Sequence, residues 1–206
     1  MRVVVVTGGL GSGKSTAAAH FRDKGAAVVD LDDVAHKLLA PGSDLLKRVA
    51  GEFGGDAILL ADGQLDRAAL ARVAFATPAA VKRLNAIVHP AIARDSGVAL
   101  EQIRLMPVPP VAVVFEAPLI VEAPVFAELA DVVLAIVAPE SVRLERAVAA
   151  HMDEEDAKRR IRAQSTDAQR VELSDVVVVN DGSPEQFLDA LDAFWEEYVA
   201  VGGGPR

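Results

Sequence analysis

Apolar and polar positions along the chain form short hydrophobic runs separated by longer amphipathic segments, a pattern that predicts an α/β protein. Five runs rich in β-branched residues are typical of strands buried on both faces of a parallel sheet. They lie at residues 3–6, 26–30, 111–115, 131–137 and 175–179. Helical segments lie between or after them, at residues 14–24, at 139–150, from 153 onward and at 184–200. We therefore expect a five-stranded parallel sheet covered by helices.

A long stretch from residue 34 to residue 100 shows helical patterning and no strand. It is too long for a simple crossover connection, so it predicts a helical insertion that carries acceptor specificity. Within it, His89 precedes a proline, which disfavours helical geometry at His89. The apolar face of the last helix contains several aromatic residues, which we expect in the core. The predicted organisation is a core (1–30, 101–142 and 167–200), a helical subdomain (31–100), a lid (143–166) and a flexible tail (201–206).

Composition narrows the class of protein. The chain has 206 residues, 51% of them hydrophobic, and no cysteine, which excludes disulfides and thiolate chemistry and fits a cytoplasmic protein. A net charge of −9 argues against broad nucleic-acid binding. No apolar run approaches the ~20 residues of a membrane helix, so we expect no membrane association. The oligomeric state is not predicted.

The segment between the first strand and the first helix reads TGGLGSGKST over residues 7–16. Gly8, four further residues, Gly13, Lys14 and Ser15 match the phosphate-binding loop pattern, in its expected strand–loop–helix context. Glycines let the backbone wrap a polyphosphate. Lys14 would hold the β- and γ-phosphates of a nucleoside triphosphate, and the Ser15 hydroxyl would ligate Mg²⁺.

Carboxylates follow two of the predicted strands. Asp30, Asp32 and Asp33 end the second strand, at the edge where ligands bind in open parallel sheets. If the strand geometry continues to residue 32, the side chains of Asp30 and Asp32 point to the same face. Alternatively, either residue caps the helix that follows. Glu116 ends the third strand, either to order the water shell of Mg²⁺ or as a simple strand-end charge.

Basic residues suggest further contacts with substrates. The predicted helices after residue 139 carry arginines, among them Arg143 and Arg146, that could close on transferring phosphates as a mobile lid. Arg67 begins a predicted helix, and its position taken alone favours a solvated charge over a contact with substrate. His89, taken alone, is equally compatible with a structural kink.

Taken together, these features resemble the dephospho-CoA kinase family over essentially the full chain. The resemblance rests on separated motifs: residues 7–16, Val29-Asp30-Leu31-Asp32, Asp62-Gly63-Gln64-Leu65-Asp66-Arg67, Leu84-Asn85 before His89-Pro90, Pro118-Leu119 with Glu122, residues 160–164, and Asp175 before Asn180-Asp181-Gly182. It implies transfer of the γ-phosphate of ATP to the 3′-hydroxyl of dephospho-CoA, in a P-loop nucleotide-kinase-like core with a helical acceptor subdomain and a lid.

The resemblance also implies residue roles. Asp32 would be the general base, and Lys14 the second catalytic residue. The implied ATP-binding residues are Gly9, Gly11, Ser12, Gly13, Lys14, Ser15, Thr16, Arg143, Arg146 and Asn180. The implied acceptor-binding residues are Asp32, Arg67, His89 and Pro90, and Ser15 would be the metal ligand. The rival hypotheses are another small-acceptor kinase, for a nucleoside monophosphate or a sugar acid, and a nucleotide switch that signals through a partner.

Overall fold

The computed structural model describes residues 1–200, and their contacts divide the chain into two compact units. The first unit contains Met1–Asp30 and the residues from Gln102 onward, and the second contains Leu31–Glu101. The predicted flexible tail, residues 201–206, lies outside the described residues.

Strands and helices alternate in the first unit, while the second contains helices. The strands are β1 (Arg2–Gly8), β2 (Ala27–Asp30), β3 (Ala112–Glu116), β4 (Val132–Val137) and β5 (Val176–Val179). The helices are α1 (Lys14–Asp23), α2 (Leu31–Leu38), α3 (Asp44–Phe53), α4 (Arg67–Ala74), α5 (Pro78–Arg104), α6 (Glu140–Ala149), α7 (Glu154–Ala163), α8 (Asp167–Glu172) and α9 (Pro184–Trp195). Short 3₁₀ helices at Gly55–Ile58 and Pro124–Leu129, and a π turn at Glu196–Ala200, complete the described chain.

The five strands form one sheet in the order β2-β3-β1-β4-β5, with every pair parallel. This confirms the predicted fold class. β1 lies at the centre of the sheet, and its residues Val3, Val4, Val5 and Val6 are fully buried, as its unbroken apolar run requires. Because all strands are parallel, their carboxyl ends meet at one edge, where the loop after β1 and the ends of β2 and β3 lie.

Aromatic packing joins α1 and α9 in the main core. Phe21 of α1 stacks on Trp195 with ring centroids 5.4 Å apart and packs against Phe194 at 5.7 Å. Phe187 and Leu191 of α9 belong to the same buried cluster as Val4 and Val6 of β1. The aromatic face of the last helix is therefore core, as predicted, and α1 is held firmly where it follows β1.

The second unit has its own core, built from α3, α4 and α5. Val49, Phe53 and Ile58 pack with Leu70 and Ala74 in its centre. Ser43 caps the start of α3, because its hydroxyl accepts the Leu46 amide at 3.1 Å.

Two local expectations about backbone geometry were wrong. Strand geometry ends at Asp30 and α2 begins at Leu31, so Asp32 lies in the first turn of a helix and the strand alternation of Asp30 and Asp32 does not occur. His89 is helical, because α5 runs through Pro90 without a break. Pro90 has no N–H to donate to the Ala86 carbonyl. Both residues are exposed, so water can donate to that carbonyl instead.

The longest described helix, α5, has 27 residues. Neither α5 nor any other helix within residues 1–200 combines the length and apolar character that crossing a membrane requires.

Candidate active site

The loop between β1 and α1 has the backbone geometry of a phosphate-binding loop. Gly11 and Gly13 adopt left-handed conformations, with φ of 73° and 108°, which residues with a side chain rarely adopt. A Cβ on Gly13 would also overlap the Asn180 amide group. Gly13 caps α1 without a side-chain hydrogen bond, so the first N–H groups of the helix remain directed at the loop. These groups and the helix dipole favour an anion.

Lys14 and Ser15 lie in the first turn of α1 with Thr16, as the motif predicts. The Lys14 ammonium bends back across the loop and donates to the Gly9 carbonyl at 3.0 Å. The Ser15 hydroxyl lies 3.3 Å from a carboxylate oxygen of Glu116 at the end of β3. Parallel pairing of β1 with β3 produces this meeting, since Val6 lies opposite Glu116 in the register.

The pKa of Glu116 is raised above its ordinary value. Burial is the main cause, because it disfavours the ionised carboxylate. The nearby Asp30 carboxylate raises the pKa further, because it repels a second negative charge at this edge. The hydrogen bond from Ser15 and the Lys14 charge oppose the shift only in part. A cation at this edge would relieve the crowding of these two carboxylates.

The oxygen atoms of Ser15 and Glu116 fit Mg²⁺ in particular. Mg²⁺ prefers oxygen ligands and is usually held by one or two protein groups together with substrate phosphates and water. Within residues 1–200, no group of three or more His, Cys, Asp or Glu side chains could hold a metal by itself. Ser15 and Glu116 could therefore contribute two oxygens to a Mg²⁺ site that phosphate and water complete.

Asn180 links the phosphate-binding loop to the end of β5 and to α6. Its side-chain amide donates to the Ser12 carbonyl at 2.8 Å, and its backbone N–H donates to Val137 at 2.8 Å. Arg146 donates to both the backbone and the side-chain oxygen of Asn180, each at 3.1 Å. Asn180 is 5% exposed, so these bonds hold the loop from behind.

Two buried arginines, Arg143 and Arg170, and two half-buried carboxylates, Glu122 and Asp167, lie beside the same loop and are here called the Arg170 cluster. The Arg143 guanidinium packs against Gly9 so closely that a Cβ there would overlap it. Arg170 donates to the Asp167 carboxylate at 3.1 Å, and Arg143 lies 4.0 Å from the same oxygen. Burial lowers the pKa of Arg170, and the charges of Asp167 and Glu122 oppose that shift. Next to the cluster, the Gln164 side-chain oxygen accepts the Leu10 amide at 2.8 Å.

The sequence pattern indicated neither α8 as a separate helix nor a role for Asp167 and Arg170. One local signal was present, since Thr166 and Gln169 form a capping box at the start of α8. That signal marks the helix start but does not indicate that Arg170 is completely buried.

The predicted acceptor residues all belong to the helical unit. Asp32 is exposed in the first turn of α2, and Arg67 is the exposed first residue of α4, which Asp66 caps. His89 and Pro90 lie within α5. The structure thus brings the predicted donor residues together around one loop, and the roles of the acceptor residues stay predictions.

The parallel sheet, the phosphate-binding loop, and the Lys14, Ser15 and Glu116 groups define a P-loop protein of the nucleotide-kinase class. The family model described as Dephospho-CoA kinase matches residues 2–186. The chain is 40% identical to a dephospho-CoA kinase of Corynebacterium jeikeium, over 95% of this chain and 98% of that protein. It therefore belongs to the dephospho-CoA kinase family, and is a transferase that uses ATP.

Solved structures agree with this assignment. A crystal structure from Thermus thermophilus superposes with a TM-score of 0.75 at 33% identity, covering 96% of this chain and 98% of that one. Dephospho-CoA kinase from Campylobacter jejuni matches with a TM-score of 0.69, over 97% of this chain and 98% of its own. At 22% identity, the second match supports the fold alone.

Proposed function

We propose that this chain transfers the γ-phosphate of ATP to the 3′-hydroxyl of dephospho-CoA, giving coenzyme A and ADP in the last step of coenzyme A synthesis. The observation that carries the proposal is the phosphate-binding loop, with Lys14 across it and Ser15 beside Glu116, in a member of this family. We further propose that the reaction takes place in the cytoplasm, which the absence of cysteine suits.

On the donor side, the backbone N–H groups of residues 9–16 and the Lys14 ammonium bind and orient the phosphates. Phosphoryl transfer passes through a loose transition state, so positioning and charge stabilisation supply most of the catalysis. Arg143 and Arg146, in the proposed lid (residues 143–166), add positive charge beside the loop. Ser15 and Glu116 would hold Mg²⁺, which neutralises charge on the phosphate oxygens when bound.

On the acceptor side, we propose that Asp32 accepts the proton of the attacking hydroxyl. Asp32 follows two residues after β2, whose carboxyl end lies at the same sheet edge as the phosphate-binding loop. Arg67, His89 and Pro90 are proposed to bind dephospho-CoA, which makes the helical unit (31–100) the acceptor subdomain.

The function is tested by measuring ADP release with and without dephospho-CoA and by determining the mass of the product. We expect rapid ADP release only with dephospho-CoA, and a product heavier by one phosphoryl group. AMP and gluconate serve as competing acceptors in parallel reactions. Phosphorylation of either one in preference to dephospho-CoA would contradict the proposal, as would ATP hydrolysis that needs a protein partner.

The base is tested with Asp32→Asn. We expect kcat to fall roughly 10²–10⁴-fold, because a positioned base contributes about that much, while the Kd for ATP stays near the original value. Asp33→Asn is the matched control, since Asp33 is exposed in the same first turn of α2 and carries the same charge. If Asp32→Asn and Asp33→Asn turn over at similar rates with saturating substrates, Asp32 is not the base.

A further inference from the structure

The Arg170 cluster carries more charge and more unpaired donors than a structural core requires. Arg170 is completely buried and Arg143 is 8% exposed. The Nε of each, the Nη2 of Arg170 and one oxygen of Glu122 have no hydrogen-bond partner within the described chain. Burying charged groups in this way is costly, and replacement by apolar residues of similar size is often neutral or stabilising. Stability alone therefore does not explain a buried arginine at position 170.

The cluster meets the phosphate-binding loop through Arg143. Its guanidinium packs against Gly9, and its backbone carbonyl packs against Gly11 so closely that a Cβ at either glycine would overlap it. The contact with Gly9 therefore depends on the Arg143 side chain, whereas the contact with Gly11 is made by the backbone of α6. The rotamer of the Arg143 side chain therefore determines what packs against Gly9 of the loop.

The Asp167 carboxylate lies close to both arginines of the cluster. The Asp167 carboxylate oxygen that lies 4.0 Å from Arg143 is the same oxygen that accepts Arg170 Nη1 at 3.1 Å. Arg170 has no exposed surface and reaches the loop only through these neighbours. Two further bonds secure the segment that carries Asp167, because Gln164 accepts Leu10 N–H and the Ser165 hydroxyl donates to Glu122.

We infer that Arg170 is a positioning residue of the ATP site, which holds the Arg143 side chain against Gly9 through their shared Asp167 carboxylate. The inference rests on the proposed function only in that the loop binds ATP. It does not depend on which acceptor is phosphorylated. Residues 164–170 then act as a brace that sets the shape of the loop.

The test measures ATP binding directly, without acceptor, in Arg170→Met. We expect the Kd for ATP to rise about ten-fold, because small displacements of positioning groups have effects of this size or larger. With dephospho-CoA present, the KM for ATP should rise and kcat should fall, while the KM for dephospho-CoA stays unchanged. Arg170→Lys should restore part of the ATP affinity. Arg72→Met, an exposed arginine of α4, is the control and should bind ATP normally.

A double-mutant cycle separates positioning from general destabilisation. If Arg170 acts through Arg143, then Arg170→Met made in an Arg143→Met background should change the Kd for ATP by less than about two-fold, since coupled residues are non-additive. Full additivity would overturn the inference, and so would a folded Arg170→Met variant that binds ATP like the original protein.

If Arg170→Met does not fold, Asp167→Asn carries the same test, because its side chain is 26% exposed and keeps its size. It should raise the Kd for ATP without changing the KM for dephospho-CoA, and an unchanged Kd would refute the link. Failure of the original protein to phosphorylate dephospho-CoA would count against the proposed function alone.

Discussion

Glu116 shows how a single residue can be unfavourable for the fold and useful in the site. Its pKa is raised by burial and by Asp30, so the folded state binds the Glu116 proton more tightly than the unfolded chain does. Glu116 therefore lowers stability least while it is protonated. Its contribution to stability declines as the pH rises from the unfolded pKa, near 4.3, through the higher pKa of the folded protein.

Glu116→Gln should remove this penalty. Without nucleotide, we expect the variant to melt a few degrees higher than the original protein at pH 7–8, with the difference vanishing near pH 4. The apparent affinity for Mg²⁺ in the kinase assay should fall roughly ten-fold if Glu116 supports the ion. Glu128→Gln, an exposed glutamate, is the control. If Glu116→Gln is less stable than the original protein at pH 8, the charge of Glu116 does not destabilise the fold.

At the scale of elements, α1 is fixed by α9 as well as by the sheet. Asp192 of α9 accepts hydrogen bonds from Lys24 at 2.8 Å and from His20 at 2.6 Å, and its pKa is lowered, first by Lys24 and then by His20. Since α1 supplies Lys14 and Ser15, this contact helps to hold the phosphate-binding residues in place.

Asp192→Asn should lower the melting temperature at neutral pH, by a few degrees at most because the pair is solvent-exposed. A carboxylate with a lowered pKa contributes stability above its unfolded pKa, near 3.9, and loses it as the pH falls through the folded pKa. The difference from the original protein should therefore disappear in acid. Asp189→Asn, exposed on the same helix, is the control and should melt like the original at every pH.

The elements also show what sequence patterns can and cannot predict. Continuous apolar runs identified all five strands, both the buried central strands and the partly exposed edge strands β2 and β5. The proline after His89 predicted the wrong backbone geometry for His89. A helix can tolerate a proline where the backbone is exposed to water, and the sequence His89-Pro90 does not show that exposure. Arg170 was missed for a related reason. Its importance comes from burial beside Arg143, 27 residues earlier in the chain, and that contact follows from tertiary packing alone.

At the scale of the whole molecule, the chain must bind two anionic substrates while carrying a net charge of −9. On the donor side, the loop N–H groups and the Lys14 ammonium have to offset this unfavourable long-range repulsion locally. On the acceptor side, the proposed residue for this task is Arg67, which is exposed at the start of α4.

Arg67→Gln should therefore raise the KM for dephospho-CoA about ten-fold, as expected when a charge-assisted hydrogen bond to a phosphate is lost, and leave the KM for ATP unchanged. The effect should shrink as salt is added, because salt screens exposed charges. Arg72→Gln removes the same charge from the same helix and controls for net charge. Equal changes in both variants would mean that Arg67 contributes only to the overall field. A rise in the KM for ATP instead would assign Arg67 to the donor side.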